Sequence, residues 1–427
     1  MSSYQYILLY PSMESLKGDI SMINTFLKMQ RSNPYPLYWL LRRAQPVLRI
    51  GRYDLCFASR YDDVKKVLSD YENFSSDFRR AFRPGEELDQ SSKISLIASD
   101  PPVHSKLRGL VTKAFTPRAV ASLETRIGVL THELLDGVAG AGRMDLVQDL
   151  AYPLPVMVIA EMLGVPASDR GQFKVWSDKV VRSADEIFSS TQDAQRTQPE
   201  ADAPLGAGEM GAYFKTIIAE RRANPQDDLI SGLVAAEMDG EKLSEWDLLD
   251  FCSLLLVAGN VTTTNLITNA VMVLLEHKDA LEAVRANPAL LPDALEEVLR
   301  FRSPVQFMFR VSSAETELGG RLLPPNQRVI ALIGSANRDE AQFENANRFD
   351  ISRKPNRHIA FGVGVHYCLG APLARLEAKV VLNILLQRLP NLARSNSGAL
   401  PPTDGVILHG VKSLPVRWDV RPTIVPV

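Results

Sequence analysis

Phe361-Gly362-Val363-Gly364-Val365-His366-Tyr367-Cys368-Leu369-Gly370, running on into Ala371-Pro372-Leu373-Ala374-Arg375-Leu376-Glu377-Ala378, decides how the rest of the chain is read. Three glycines within nine residues allow a tight turn that lies close against a flat partner. Pro372 suits a first helical turn, where one N–H lacks a partner anyway. Leu373, Leu376, Val380, Ile384 and Leu385 continue as an apolar stripe at helical spacing. Cys368 therefore stands at the mouth of a helix, before free amides and the positive end of a helix dipole, which favours its thiolate. A thiolate in that position suits a metal as an anionic axial ligand. A lone cysteine in a glycine-rich turn is more often a small buried residue. Here the whole string carries the stronger signal.

Bulk properties exclude several classes. A hydrophobic fraction of 45% and a charged fraction of 23% are those of an ordinary globular chain. The net charge of −2 gives no argument for nucleic acid or an anionic membrane surface. Cys56, Cys252 and Cys368 lie far apart, which is no disulfide framework and fits a reducing compartment. The apolar run in Met1-Ser-Ser-Tyr-Gln-Tyr-Ile-Leu-Leu-Tyr-Pro11 is far too short to span a bilayer. Neither an internal repeat nor a linker divides the sequence, so 1–427 reads as a single domain.

The pattern is mainly α with a small β-rich region. Pro46–Ile50 and Leu55–Ala58 flank a turn at Gly51 and read as a hairpin, followed by a short helix over Asp62–Leu68. Further strands are expected near 305–333 and 400–420. Residues 75–98 read as a polar surface loop, 119–188 as helical, and 189–208 as a polar connection without period. Ser244-Glu-Trp-Asp247 forms a capping box. A helical pattern then runs from Glu245 to about His277, long enough to cross the whole domain. Asp250, Asn260, Asn265 and Asn269 within it argue against a membrane span. Its centre, Leu254-Leu-Leu-Val257-Ala258-Gly259-Asn260-Val261-Thr262-Thr-Thr264, places glycine beside hydroxyls. A helix is able to bend there and open towards a ligand. His104 and Arg108 share one helix face, as do Glu297 and Arg300.

The form Phe-x-x-Gly-x-His-x-Cys-x-Gly over 361–370 resembles the heme-binding loop of the cytochrome P450 family. The likeness extends in order from His104 to the turn at Ile407. It implies that fold: a long central helix over a Cys-ligated heme, with the β-rich lobe at about 35–60. By resemblance Cys368 is the ligand of the iron of heme b, with Phe361, Gly362 and Gly370 around it. His104, Arg108, Arg310, His358 and His366 match partners of the heme propionates. Ala258 and Gly259 match the groove that lines the heme, and Thr262 the threonine that hydrogen-bonds dioxygen. Glu297 and Arg300 match a scaffold pair, with Arg348 as its expected third member. Phe78, Leu254, Val257, Ala258, Val261, Phe307, Ile407 and Leu408 are candidate pocket residues, with Phe82 and Leu96 from the loop that covers the pocket. The connection at 189–208 falls where the family has its lid. A basic face at Lys106, Lys113 and Arg118 is a candidate docking surface.

The resemblance implies a cytoplasmic, monomeric monooxygenase of secondary metabolism. It would insert oxygen from dioxygen into a hydrophobic small molecule, with electrons from an external ferredoxin and ferredoxin reductase. No nucleic acid and no membrane are expected as partners. One departure stands out. Val261 replaces the family's acid, and a valine carries no proton. Three readings stay open: Thr262 with ordered water suffices, the substrate brings a polar group of its own, or the chemistry is not ordinary oxygen insertion. The last includes peroxide-driven oxidation, nitric oxide reduction, desaturation and rearrangement. A catalytically silent scaffold homologue is the alternative of another class.

Overall fold

Ser244 opens the helix against which much of the chain packs. The Asp247 amide donates to its hydroxyl, and the Ser244 amide donates to the Asp247 carboxylate at 2.8 Å, a reciprocal cap. The helix then runs without a break over Glu245–Glu276, as the sequence pattern predicts. It is buried on all sides over 263–274. Several of its buried polar side chains are satisfied within the protein, although the Asn265 Nδ2 has no partner. Ser253 donates to the Leu249 carbonyl, Thr264 to Ala151, Thr268 to Thr264, and Asn269 to His409 at 2.9 Å. Among the described residues this is the one helix long and apolar enough to cross a membrane, and 61% of its apolar window is buried inside the protein.

The computed structural model describes residues 31–51, 54–82, 95–169, 171–172, 175–176, 208–238, 240–403 and 405–420. The N-terminal run, the middle of the 75–98 loop, the side chain of Phe82 and nearly all of the 189–208 connection lie outside the described residues. The principal helices are α1 (Tyr35–Ala44), α2 (Tyr61–Ser69), α3 (Val103–Ala114), α4 (Glu124–Asp136), α5 (Pro153–Met162), α6 (Glu209–Ala223), α7 (Glu245–Glu276), α8 (Leu291–Phe301) and α9 (Ala371–Arg388). Helices α4, α5, α7, α8 and α9 supply much of the large apolar core.

The main sheet has strands β1 (Val47–Ile50), β2 (Leu55–Ala58), β3 (Phe74–Ser75), β4 (Met308–Ser312) and β5 (Arg328–Ala331), ordered β1-β2-β5-β4-β3. The expected hairpin forms, with Val47 opposite Ala58 and Ile50 opposite Leu55. Strand β5 pairs parallel to β2 and antiparallel to β4. Asp62–Leu68 is helical within α2. The reading of 119–188 as helical needs correction. A short strand at Arg143–Asp145 interrupts the helices and pairs with Pro415–Arg417 near the far end of the chain. Nothing local in 143–145 predicts a partner 270 residues away.

Gly259 sets how closely two helices approach. A Cβ on it would lie 2.7 Å from the Ile159 Cδ1 of α5. The glycine therefore permits α5 to lie close against α7.

Glu297 and Arg300 are fully buried and paired, with Nη2 to Oε1 at 2.7 Å and Nε to Oε2 at 2.8 Å. Arg300 also donates to the carbonyls of Asn337, Ala346 and Arg348. The third side chain on Glu297 is that of Arg353, at 3.2 Å, and not that of Arg348. Arg348 contributes its carbonyl. Asn345 turns the chain at a positive φ of 49° just before this segment, so spacing alone could not say which arginine points inwards.

On α9, Glu377 is buried with one carboxylate oxygen unpartnered, and burial pushes its pKa up to about 8 from 4.5.

Two outcomes follow from this packing. Gly259→Ala is expected to destabilise the fold by about 1–3 kcal/mol through overpacking, and Ile159→Val, which removes the clashing methyl, should restore much of it. Urea midpoints for the two single variants and the double variant check this; additive losses would refute it. The proton on Glu377 stabilises the fold below pH 4.5, and that contribution is lost as pH rises towards 8. Relative to wild type, Glu377→Gln should therefore gain urea stability steadily between pH 5 and 8. A constant difference would show that Glu377 does not titrate there.

Candidate active site

The Cys loop is shaped by backbone. Gly362 and Gly364 both have φ of 73°, a left-handed conformation that favours glycine. Gly364 lies so close to α2 that a Cβ would sit 2.9 Å from the Ser69 Cα. The Gly362 amide donates to the Ile359 carbonyl and the Cys368 amide to the Phe361 carbonyl, both at 2.9 Å. Helix α9 then begins at Ala371 with Pro372 in its first turn, as predicted.

The amides of Gly370 and Ala371 hydrogen-bond Cys368 and favour its thiolate, and the guanidiniums of Arg108 and Arg375 act in the same direction. Burial is nevertheless the largest influence, and it raises the free thiol above its ordinary value. The thiolate bias expected from the helix end is therefore present but outweighed until a positive partner arrives. A Cβ on Gly370 would meet nothing nearer than the Cys368 Sγ, at 4.0 Å.

Cationic and imidazole groups gather beside this loop. His104, on α3, is 2% exposed, and both of its ring nitrogens are buried without a partner. Its ring lies 4.1 Å from that of His366, centroid to centroid. The His366 Nε2 sits 3.0 Å from the Ser76 hydroxyl. Arg310, on β4, is 4% exposed and donates to the Phe309 carbonyl at 2.7 Å. Arg108 donates to the Tyr367 carbonyl at 2.8 Å. Burial first, and then Arg108, pushes the His104 pKa down to about 4. Burial and then Arg310 push that of His366 down to about 3. Both rings are neutral at pH 7, each with one N–H to donate. Asp100 faces His104 and Arg310, but its carboxylate also accepts from the Ser75 hydroxyl and the Ser76 amide.

A buried guanidinium and an orphaned imidazole beside a thiol at a helix start suit an anionic macrocycle with carboxylate arms. By this test the residues present fit a heme.

His358 departs from its expected role. Its Nε2 lies 2.9 Å from the Glu296 carboxylate, and its Nδ1 accepts the Ala360 amide. Neither nitrogen is left to donate to a propionate. The Glu296 carboxylate is also held by Arg375 at 2.6 and 2.8 Å, and the Arg375 guanidinium lies 4.5 Å over the Phe361 ring. This brace behind the Cys loop, with Ser76, was not read from the sequence. Arg375 lies on the helix that follows the Cys loop but has no motif of its own.

The groove on α7 is partly open. Ala258 is exposed, and Leu254, Val257, Val261 and Thr262 are partly exposed. Spacings of three and four put 254, 257, 258 and 261 on one face. The Thr262 hydroxyl donates to the Ala258 carbonyl at 2.5 Å. Several of the apolar residues expected around a pocket contact one another. Phe309 touches Phe78, with ring centroids 6.1 Å apart, and Phe307 at 5.4 Å. Ile407 packs in the same small cluster as Phe307. Leu408 bridges to Val305, and the Gln306 amide donates to the Ile407 carbonyl at 2.7 Å. Leu96 is buried. On the basic face of α3, Lys106 pairs with Glu241, and Lys113 donates to the Glu237 carbonyl.

Comparison with known proteins agrees with this geometry. The family model described as Cytochrome P450 matches residues 22–396. A putative cytochrome P450, YjiB, of Bacillus subtilis is 43% identical over 93% of this chain and 97% of its own. The cytochrome P450 monooxygenase PikC of Streptomyces venezuelae is 38% identical over 91% of each. The crystal structure of CYP109E1 from Bacillus megaterium, in complex with testosterone, superposes with a TM-score of 0.79 at 41% identity, covering 91% of this chain and 100% of that one. With a match of that extent around a thiol and cation cluster of this kind, the chain belongs to the cytochrome P450 family, oxidoreductases that hold heme iron through a cysteine thiolate.

Proposed function

We propose that this chain inserts one oxygen atom of dioxygen into a hydrophobic small molecule of secondary metabolism, by hydroxylation or epoxidation. It would work as a single cytoplasmic domain and a monomer, with electrons from an external ferredoxin and ferredoxin reductase. The observation that carries the reading is the pairing of Cys368, at the start of α9, with the buried and unpartnered His104. Cys368 would ligate the iron of heme b. His104, Arg108, Arg310 and His366 would take its carboxylates. The bound heme supplies the one-electron and dioxygen chemistry, tuned by charge from its thiolate.

The chain's own residues do the rest. The Gly370 and Ala371 amides share the sulfur's negative charge. Arg375, stacked on Phe361 and fixed by Glu296, holds the loop behind it. The Thr262 proton is committed to the Ala258 carbonyl, so the hydroxyl oxygen meets a neighbour as an acceptor. It is suited to orient a water, and with Val261 unable to hold a proton, that water would complete proton delivery. Phe78, Leu254, Val257, Phe307, Ile407 and Leu408 would form apolar walls that exclude other water. The testosterone in the CYP109E1 structure supports an apolar or amphipathic substrate, and the monooxygenase name of PikC supports oxygen insertion.

A second reading rests on Val261 alone: a heme-thiolate reaction without oxygen insertion.

Turnover under oxygen-18 gas decides between them. The purified protein would be given a ferredoxin pair and a compound that perturbs its heme spectrum. The product should be heavier by one labelled oxygen. A changed product without label would establish the second reading, and electron consumption without product would show failed proton delivery. For the heme site, His104→Phe should weaken heme retention by roughly tenfold or more, since a charged hydrogen bond contributes about 1.5–3 kcal/mol. Measuring the heme-to-protein ratio after dilution tests this. Retention equal to wild type would remove His104 from the site.

A further inference from the structure

A cavity of about 440 Å³ lies apart from the Cys loop, lined by Tyr35, Trp39, Arg302, Arg338, Asn347 and His409 among others. It is formed where α1, the residue after α8, the segment following β5 and the turn at 405–409 meet. Ser32, Asn33 and Asn347 add neutral polar groups, and every charged side chain in the lining is cationic. Arg338 is 8% exposed, and its guanidinium is held between the rings of Tyr35 and Phe301, 3.7 Å from each centroid. Arg302 uses its Nε on the Asn269 side chain at 2.9 Å. Its two terminal nitrogens have no recorded partner among the described residues. His409 is 2% exposed, and both of its ring nitrogens are buried and unpartnered. The charged groups that act on it are Arg302 and Arg338. No carboxylate lines the cavity among the described residues.

Two guanidiniums and a buried imidazole without a counter-charge are costly to hold together. An anion supplied from outside would relieve that cost. A guanidinium fork matches the two oxygens of a carboxylate, and an imidazole N–H adds a third donor. The volume is an order of magnitude above that of one small ion or water, which is about 30 Å³. Tyr35 and Trp39 offer flat apolar walls for the remainder. We propose that this cavity is a binding site for a small organic carboxylate with a flat apolar body, its carboxylate on Arg302 and His409.

The position gives the site a reach. The Asn269 Nδ2 donates to the His409 carbonyl at 2.9 Å, while its Oδ1 accepts from Arg302. The same turn carries Ile407 and Leu408, and the His409 amide donates to the Pro304 carbonyl. An occupant of the cavity therefore bears on the residue that anchors this turn to α7.

The test is a calorimetric titration of the heme-loaded protein with phenylacetate, with the heme side blocked by a saturating azole. Phenylacetamide serves as the uncharged control, and inorganic phosphate as the anion without an apolar body. Phenylacetate should bind. Arg302→Lys and His409→Phe should each weaken it at least tenfold, with a cooperative thermal transition and the heme spectrum of the wild type retained. Equal binding of the amide would overturn the proposal. So would binding undiminished in both variants, no phenylacetate binding at all, or phosphate binding in preference to phenylacetate.

Discussion

The ion pair of Glu297 and Arg300 is the constraint on which the rest of the site depends. Both groups are out of water, and removing two charges from solvent costs several kcal/mol each before any contact is made. The cost is offset only if every donor and acceptor is used. Glu297 is met by Arg300, Arg353, Asn356 and the Asp350 amide. Arg300 is met by the carboxylate and three backbone carbonyls between 337 and 348. A segment with little regular structure is thereby fixed to α8 at several points. That segment leads directly into the Cys loop, so the placement of Cys368 is set partly by a pair of charges about 70 residues upstream. The neighbouring Glu296 repeats the arrangement with His358 and Arg375, and Arg375 belongs to the helix that Cys368 precedes. Two adjacent carboxylates on one helix thus hold the loop from both of its ends.

Against this satisfied scaffold, the groups around His104 are deliberately incomplete. Buried polar atoms in native proteins are nearly always paired. An imidazole with two orphaned nitrogens, beside a guanidinium 4% exposed, is stable only if another species completes it. The depressed histidine pKa values have the same origin. Each ring is buried among positive groups and gives up its proton, which leaves it a neutral donor. Heme on this view is part of the core as much as it is a reagent, and its carboxylates are the missing half of an electrostatic network.

The sequence was most legible where the structure is local. The Cys loop, the capping box at Ser244, the hairpin at Gly51 and the helix after Pro372 all depend on residues a few positions apart. Their glycines, prolines and hydroxyls act on the neighbouring backbone. The errors fall where partners are distant. Arg348 and Arg353 look alike until the turn at Asn345 chooses between them. His358 sits beside the motif, yet Glu296 had already claimed its ring. The strand at Arg143–Asp145 exists because Pro415–Arg417 is there to pair with it. The brace formed by Arg375 leaves no pattern at all, because a single arginine on a helix says nothing about what its end will reach.

The groove on α7 carries the most consequential local departure. Asn260 cannot replace the acid missing at Val261, since it is fully buried and a side-chain amide releases no proton near neutral pH. The Thr262 proton is given to the Ala258 carbonyl, and serine or threonine bonded in this way tends to open a helix locally. Between Leu254 and Thr262 the face therefore presents an acceptor oxygen and apolar carbon, and the nearest acid on that face is the buried Asp250, about three turns from Val261. Proton delivery along it has to be carried by molecules that are not part of the helix. Water held against the Thr262 oxygen is one carrier, and a polar group on the substrate is the other. Because a bound substrate decides how much water remains beside Val261, efficiency in this chain is tied to substrate shape more tightly than it would be with a carboxylate in place.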